Sequence, residues 1–245
     1  MARLDISYYQ SSSKKLTRNY RLVQVSDYHS NNKVKFIKEI KELNVDYILI
    51  TGDLIDRRTY NLEVAEDLIR ELSKITKILY ICGNHEIWSN KYEEVKIMLK
   101  KYKVIILDNR NYIENELNFI GLVDPSTNFK DGSKVTYLDS QDDYLTKLAN
   151  INSYNLLLAH RPEFFLEYAK HNLDLILCGH AHGGQFRFFN RGIYAPNQGL
   201  LAKYTAGEYY EKKSKMIVSR GLGNSRFPLR LFNNFELVVI DLIKG

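Results

Sequence analysis

The sequence lacks long apolar runs, repeats and flexible linkers. None of its apolar segments approaches the ~20 residues that a membrane-spanning helix needs. Its start, MARLDISYYQSSSKK, lacks the apolar stretch of a secretory signal. No repeat, low-complexity tract or Pro/Gly/Ser-rich stretch marks a domain boundary. We therefore expect a soluble, cytoplasmic protein in which residues 1–245 form one domain.

Cysteine is scarce, and the charge is dispersed. The two cysteines, Cys82 and Cys178, each lie in an apolar run, so we expect both to be small core residues. The net charge of +6 would suit an anionic partner, but the lysines are spread along the chain without a dense basic block. The composition permits a nucleic-acid partner and does not indicate one.

Five short apolar segments recur along the chain, and each ends in polar residues. They are YRLVQVSDYH, VDYILITGD, ILYICGNHE, NLLLAH and LDLILCGHAH. Helical patterns from Lys33 to Leu43 and from Leu62 to Ile75 separate the first three, and another from Tyr92 to Lys101 follows. This spacing is typical of β-α-β units with parallel strands. Ligands gather beyond the carboxyl ends of such strands, so the five polar tips should converge on one site.

The later strands predict a second sheet. The segments YIENELNFIGLV, KSKMIVSRGL and FELVVIDLI have no long helices between them and look more antiparallel. The expected fold class is α/β (α+β), with two mixed sheets flanked by helices in a four-layer α-β-β-α sandwich.

Histidine is concentrated at the strand tips. Five of the six histidines lie there, namely His29, His85, His160, His180 and His182. Neutral imidazole is the commonest metal ligand in proteins, so this clustering indicates a metal site. The sixth, His171, lies in an ordinary polar helical stretch, where we expect a structural or surface role.

Two pairs of tip residues are two positions apart. Along an extended segment, Asp27 and His29 would leave the backbone on the same face and could bind one ion. The same argument applies to His180 and His182.

Two oxygen ligands follow glycines. Asp53 comes after Gly52 and Asn84 after Gly83, where a backbone can bend sharply and aim a side chain inward. Seven nitrogen and oxygen side chains are too many for one ion and suit two ions that share a bridging carboxylate, which we assign to Asp53. Imidazole and carboxylate together favour Mn, Fe or Zn. Such a site would attract phosphate and acidify water, which predicts attack by a metal-bridging hydroxide.

The motifs D-x-H, G-D, G-N-H-E, an isolated H and G-H-x-H occur in that order from about Leu22 onward. They resemble the calcineurin-like metallophosphoesterase superfamily. GHAHGGQ, with SRGLGNSRFPLRLF downstream, resembles its bacterial YkuE/YaeI-type branch, which includes enzymes similar to lipid-sugar UDP pyrophosphatases. The chain departs from that branch at Ala181, where threonine is usual, and at Phe235, where proline is common.

The resemblance implies roles for individual residues. One metal would take Asp27, His29, Asp53 and His182, and the other Asp53, Asn84, His160 and His180. His85 matches the family histidine that protonates the leaving oxygen, so its implied role is general acid.

Two further residues follow from GDLIDRR, which resembles GD-x-x-D-R of the Ser/Thr phosphatases. Asp56 would orient His85, with a turn-capping role as the alternative. Arg57 would contact the phosphate, with a solvated loop arginine as the alternative.

Each of two segments near the last motif has two possible roles. Gly183 and Gly184 suit a backbone that passes close to metal or substrate, or an ordinary turn. RFPLRLFNNF could meet a lipid-linked phosphate at a membrane surface, although a packed loop before the last strand is the favoured interpretation.

The predicted function is hydrolysis of a phosphodiester or pyrophosphate bond in a small-molecule substrate, such as a nucleotide sugar or a lipid-linked phosphate. A monoester dianion would call for fixed cations beyond the metals, and Arg57 is the one obvious candidate. The alternatives are a phosphomonoesterase or protein phosphatase, a nuclease, and a non-catalytic metal-binding scaffold, which would be expected to have lost ligands.

Overall fold

Strands and helices alternate through the first half of the chain. The computed structural model describes residues 3–32, 35–130, 133–188, 191–224 and 230–245. The strands up to the last predicted metal motif are β1 (Leu4–Ser13), β2 (Tyr20–Val25), β3 (Tyr47–Thr51), β4 (Lys77–Ile81), β5 (Ile105–Ile106), β6 (Arg110–Glu114), β7 (Leu117–Gly121), β8 (Tyr154–Leu158) and β9 (Leu175–Cys178). The strands after it are β10 (Arg187–Phe188), β11 (Arg191–Gly192), β12 (Tyr194–Ala195), β13 (Gly199–Leu200), β14 (Gly207–Glu211), β15 (Ser214–Val218) and β16 (Phe235–Lys244).

The helices lie between these strands. They are α1 (Ile37–Glu42), α2 (Leu62–Leu72), α3 (Asn84–Trp88), α4 (Tyr92–Lys101), α5 (Asp139–Leu148) and α6 (Phe165–Tyr168). Short 3₁₀ turns occur at Pro125–Asn128, Pro162–Phe164 and His182–Gly184. Among the described residues, no helix combines the length and the apolar character needed to cross a membrane.

The longer strands form two mixed sheets, as predicted. Within the described residues, sheet 1 has the order β1-β16-β2-β3-β4-β5, and β2 to β5 run parallel. Sheet 2 has the order β14-β15-β9-β8-β7-β6, with antiparallel pairs only at its two edges.

Two details of the predicted sheets are wrong. The segment FELVVIDLI forms β16 in sheet 1, not in the second sheet, where it pairs antiparallel with β2 and parallel with β1. Sheet 2 is parallel at its centre, because α5 and α6 lie on the crossovers that lead into β8 and β9.

The predicted limits of two helices are corrected. The first helix runs from Ile37 to Glu42 rather than from Lys33 to Leu43, and Lys33 itself lies outside the described residues. The second ends at Leu72 rather than Ile75, whereas the third has the predicted bounds.

The strands sort their apolar side chains between layers by their period of two. In β3, Ile48 and Ile50 pack with α2 and α4, whereas Leu49 faces sheet 2. The second face of sheet 2 packs against α5 and α6. Three apolar layers therefore hold four structural layers together, and each fully buried Leu or Ile contributes roughly 1.5–3 kcal/mol.

The two cysteines belong to these layers. Cys82 lies in the layer between sheet 1 and its helices and Cys178 in the layer behind sheet 2, both fully buried as free thiols. Burial raises the pKa of both thiols, so they stay protonated and inert. The prediction that they are small core residues is confirmed.

One buried amide ties the two sheets together where the polar tips begin. The Nε2 group of Gln24, in β2, donates to Thr51 Oγ1 at 2.9 Å and to the Cys178 carbonyl at 2.9 Å. It therefore links the ends of β2, β3 and β9 across the apolar layer. Loss of both acceptors would leave the buried Nε2 group unpaired, which costs more than the bonds themselves contribute.

Candidate metal centre

The polar ends of β2, β3, β4, β8 and β9 meet at one end of the two sheets, as predicted. Beyond the strands, the Asp27 N–H donates to the Gly52 carbonyl at 3.1 Å and the His29 N–H to the Asp53 carbonyl at 3.0 Å. The Gly179 N–H donates to the His160 carbonyl at 3.1 Å. The parallel ladders therefore continue into the loops and fix the loops relative to one another.

The first group of candidate ligands is Asp27, His29, Asp53 and His182, all buried, with one ligand atom from each within 4.8 Å of the others. His29 Nε2 lies 3.2 Å from His182 Nε2 and 3.6 Å from Asp53 Oδ2. His182 Nε2 lies 3.5 Å from Asp27 Oδ1. These are the four residues that the family resemblance implies for one metal.

The second group is Asp53, His160 and His180, with Asn84 beside them. His160 Nε2 is 3.3 Å from Asp53 Oδ2, 3.2 Å from Asn84 Oδ1 and 3.2 Å from His180 Nδ1. Asp53 belongs to both groups, which is where a bridging carboxylate would have to lie. Ligation by these seven residues remains a prediction that this arrangement supports.

The backbone at five candidate ligands is left-handed. The φ angles are +49° at Asp27, +49° at His29, +51° at Asp53, +65° at His180 and +47° at His182. The two spaced pairs therefore do not lie on extended segments, and that prediction is wrong. His180 and His182 point into different groups, whereas Asp27 and His29 still share one. Clustered positive φ values store strain, which functional sites commonly carry.

Glycine is required at the two turns that carry Asp53 and Asn84. Gly52 has φ +92°, and a Cβ there would lie 2.7 Å from His160 Nδ1. At Gly83 a Cβ would lie 2.3 Å from Asp53 Oδ1. Any side chain at either position would displace a candidate ligand, so the role predicted for both glycines in aiming these ligands is supported.

Burial and charge couple the buried Asp53 carboxylate to the His160 ring. Burial raises the pKa of Asp53, but His160 and His85 lower it further, and the net pKa is well below its usual range. Burial lowers the pKa of His160, yet Asp53 raises it to about 10. Burial raises the pKa of Asp27 to about 6. Buried nitrogens 3.2 Å apart around a carboxylate, with a buried His29 Nδ1 that makes no hydrogen bond, fit a site for cations.

Two buried arginines that sequence reasoning did not assign contact the ligand histidines. The Nη1 group of Arg161 lies 3.2 Å from His180 Nε2, and the Nη2 group of Arg230 lies 3.2 Å from His182 Nδ1. Burial and then Arg161 lower the pKa of His180, and burial and then Arg230 lower that of His182. Both rings are thereby kept neutral, the form that binds a metal.

Glu86 is a third residue without an assigned role, although it belongs to the quoted motif GNHE. Its carboxylate accepts the N–H groups of Asp53 at 2.9 Å, Ile55 at 3.0 Å and Gly83 at 2.7 Å. It therefore fastens the loop after β3 to the loop after β4. The available signal was a glutamate directly after the candidate ligand Asn84 and the candidate general acid His85.

A third group contains His85 and Asp56 together with His29. The Arg57 N–H donates to His85 Nδ1 at 3.2 Å, and the His85 N–H donates to Asp53 Oδ1 at 2.8 Å. Asp56 Oδ2 lies 4.0 Å from His85 Nδ1 and 3.7 Å from His29 Nδ1, which is too far for a hydrogen bond.

The other oxygen of Asp56 accepts the N–H groups of Arg58 and Thr59, so this residue also caps a turn, as the alternative predicted. The guanidinium group of Arg57 lies 5.3 Å from the Trp88 ring centre. Its contact with phosphate remains a prediction.

Three other predictions concern Gly184, His171 and the segment RFPLRLFNNF. A Cβ at Gly184 would lie 2.3 Å from the Gly192 Cα, so a tight backbone approach explains that glycine. His171 lies outside the site and contacts Asp142 at 2.9 Å, consistent with a structural role. Positions 226–229 of the segment RFPLRLFNNF lie outside the described residues.

Comparison with known proteins identifies the family. The model of the calcineurin-like phosphoesterase family matches residues 20–184. The chain belongs to this family. This metallophosphoesterase is 27% identical over 256 residues to an uncharacterised metallophosphoesterase of Aquifex aeolicus, covering 99% of this chain and 92% of the relative. It is 29% identical over 240 residues to the uncharacterised metallophosphoesterase YkuE of Bacillus subtilis, covering 91% and 79%.

Among solved structures, the metallophosphoesterase resembles a dimetal phosphatase from Danio rerio, with a TM-score of 0.54 and 10% identity over 83% of this chain and 88% of that one. At this identity the likeness concerns the fold. Family membership makes the chain a metal-dependent phosphoesterase, and the recognition made from the motifs is confirmed.

Proposed function

We propose that this metallophosphoesterase hydrolyses a phosphodiester or pyrophosphate bond in a small-molecule substrate, with His85 as general acid and two divalent ions of Mn, Fe or Zn as cofactors. The observation that carries the proposal is the pair of buried ligand groups that share Asp53, with the His85 ring 4.4 Å from that of His29. Its action in the cytoplasm and its single-domain organisation stay predictions.

The donor sets suit two ions. One would be held by Asp27, His29, Asp53 and His182, and the other by Asp53, Asn84, His160 and His180. When bound, such ions supply Lewis acidity toward phosphate oxygens and lower the pKa of water. The Nδ1 atom of His160 contacts the Thr51 carbonyl at 2.8 Å, so that nitrogen carries the proton and Nε2 is left as the donor atom for a cation.

His85 is suited to hold the transferable proton. Its Nδ1 accepts the Arg57 N–H, so in the neutral ring the proton is on Nε2. Burial lowers the pKa of His85, against Asp53 and Asp56, so the cationic ring that would act as general acid is a stronger acid than a free histidine and is less populated at neutral pH.

The cations beside the site favour a singly charged phosphate. Arg161 is engaged by Asp124 at 2.8 Å and Glu163 at 3.2 Å, and Arg230 donates to the carbonyls of Arg220 and Gly223. Both guanidinium groups are enclosed by protein. A monoester dianion would need further exposed cations, whereas a diester needs fewer.

A comparison of two chromogenic substrates tests the proposal. After Mn loading, bis-nitrophenyl phosphate should be hydrolysed with a higher kcat/KM than nitrophenyl phosphate. The opposite order across several diesters and monoesters would identify a phosphomonoesterase instead. A panel of nucleotide-sugar pyrophosphates and lipid-linked phosphates, assayed with Mn, Fe and Zn, would then identify the substrate class and the preferred metal.

A further inference from the structure

Half of the exposed large apolar side chains of the described residues are gathered on two segments. Fourteen such side chains are exposed, and seven of them lie at positions 188–201 and 231–232. We call these seven the apolar patch: Phe188, Ile193, Tyr194, Leu200, Leu201, Leu231 and Phe232. The other seven lie singly on separate elements, as on most protein surfaces. A concentration of this kind marks an interaction surface.

Main-chain hydrogen bonds join the apolar patch into one layer. β10 pairs with β11, and β12 pairs with β13. The Leu201 N–H donates to the Ile193 carbonyl at 2.7 Å, and the Arg187 N–H donates to the Leu231 carbonyl at 3.1 Å. The two segments that carry the patch are therefore continuous in space.

The same layer is attached to a candidate metal ligand. The Nδ2 group of Asn233, next to Phe232, donates to the His182 carbonyl at 2.7 Å. The Nη1 group of Arg187 donates to the Gly183 carbonyl at 3.0 Å. A partner surface that binds the apolar patch would therefore lie beside the metal centre.

Two residues of the apolar patch have a backbone conformation and an exposure that do not suit bulky apolar side chains. Leu201 and Phe232 have φ angles of +56° and +52°, and 86% and 89% of their surface is exposed. Asparagine or glycine would fit this backbone better, and a polar side chain would suit the exposure. Bulky apolar residues at both positions gain little from packing, which points to a partner that covers them.

The charge around the patch identifies the chemistry of that partner. Residues 183–206 and 219–235 contain six arginines and lysines and no aspartate or glutamate. Of these cations, Arg191 and Lys203 are exposed, and Arg191 pairs with Phe188 across β10 and β11. Exposed apolar side chains beside the exposed cations Arg191 and Lys203 suit the headgroup region of an anionic membrane.

We propose that the apolar patch docks the enzyme on an anionic lipid surface, which places the metal centre next to phosphates carried by lipid headgroups. The nature of the substrate rests on the proposed function, but docking itself needs no catalysis. The two can therefore fail separately.

Vesicle binding by the full chain tests the proposal. Cosedimentation should show stronger binding to phosphatidylcholine vesicles that contain phosphatidylglycerol than to pure phosphatidylcholine vesicles. The double variant Leu201→Asn/Phe232→Asn should lower the partition coefficient by about tenfold or more, because two apolar side chains no longer insert. Asparagine tolerates the positive φ angles, so this variant should fold. Ile97→Gln/Ile151→Asn, which removes two other largely exposed apolar side chains elsewhere, should bind like the parent.

A second double variant tests the contribution of the two exposed cations to vesicle binding. Arg191→Gln/Lys203→Gln should weaken binding by about fivefold per charge on vesicles with phosphatidylglycerol and leave binding to neutral vesicles unchanged. All surface variants should keep the kcat/KM of the parent on bis-nitrophenyl phosphate, and His85→Asn should still bind vesicles. Absence of vesicle binding by the parent, or equal binding by Leu201→Asn/Phe232→Asn, would overturn the proposal. A concentration-dependent dimer that this variant abolishes, without vesicle binding, would assign the patch to a second copy and also overturn it.

Discussion

A main-chain hydrogen bond determines which nitrogen of His85 carries the proton. The donor is the Arg57 N–H, which no side-chain substitution at Arg57 or Asp56 removes. This distinguishes His85 from a ring oriented by a carboxylate, since Asp56 stands 4.0 Å away. The proton of the neutral ring is thus held by the loop that follows β3.

Replacement of His85 should impair proton transfer without affecting metal binding. We expect His85→Asn to lower kcat by roughly 10²–10⁴-fold with metal content near that of the parent, because the ring is predicted to protonate the leaving oxygen. The loss should be smaller for nitrophenolate than for an alkoxide leaving group, as steady-state assays with both would show. An equal loss for both would exclude proton donation. His171→Asn, outside the site, is the matched control.

Asp56→Asn should give a milder defect. Its carboxylate adds negative charge near His85 and His29 without hydrogen-bonding to either ring. We expect a smaller fall in kcat than for His85→Asn, and a shift of the pH profile to lower pH, because Asp56 raises the pKa of His85. A variant with the parental kcat and pH profile would leave Asp56 with its turn-capping role only.

At the scale of elements, the loops after β3 and β4 depend on one side chain. Glu86 accepts three buried N–H groups, two from the loop that carries Asp53 and one from Gly83, next to Asn84. We expect Glu86→Ala to lower the free energy of unfolding by about 3 kcal/mol or more, because three buried donors lose their acceptor. Urea unfolding measures this. Glu94→Ala, on the exposed face of α4, should change it little, and a Glu86→Ala variant as stable as that control would contradict the argument.

The strands were predictable from the sequence where an apolar run ends in polar residues. Each candidate ligand follows a short apolar strand, so convergence at one end of the sheets followed from parallel topology. The place of β16 was not predictable, because a strand buried on both faces shows the same apolar run in either sheet.

The contacts of Arg161 and Arg230 could not be inferred either. Arg161 reaches a ring 19 positions away, and Arg230 reaches one 48 positions away. No local periodicity encodes such pairings. The left-handed backbone at the ligands likewise depends on tertiary constraints.

At the scale of the whole molecule, bound metal should stabilise the fold, since the ligands come from loops after five strands of both sheets. A ligand at a thousandfold excess over its Kd adds about 4 kcal/mol per site, or on the order of 10 °C in Tm for a chain of this size. We expect metal analysis to approach two ions per chain after Mn or Zn loading, and calorimetry to show this rise in Tm.

The variant Asp53→Asn should impair both sites, because the same carboxylate lies in both ligand groups. It should bind fewer ions and show a smaller rise in Tm than Asp56→Asn does. A stoichiometry fixed at one or zero in the parent would exclude the paired site. Full loading and near-parental activity of Asp53→Asn would exclude the bridge.

The position of β16 between β1 and β2 affects the order in which the chain can assemble. β16 pairs Phe235 with Leu4 on one side and Val238 with Gln24 on the other. β2, the strand that leads to Asp27, therefore lacks its neighbour β16 until about 210 further residues have been synthesised. Synthesis of that length takes on the order of 10–40 s on a ribosome. During that time its open edge can pair with other chains. We expect the metal centre to form only after β16 has been synthesised, so metal uptake should follow that step.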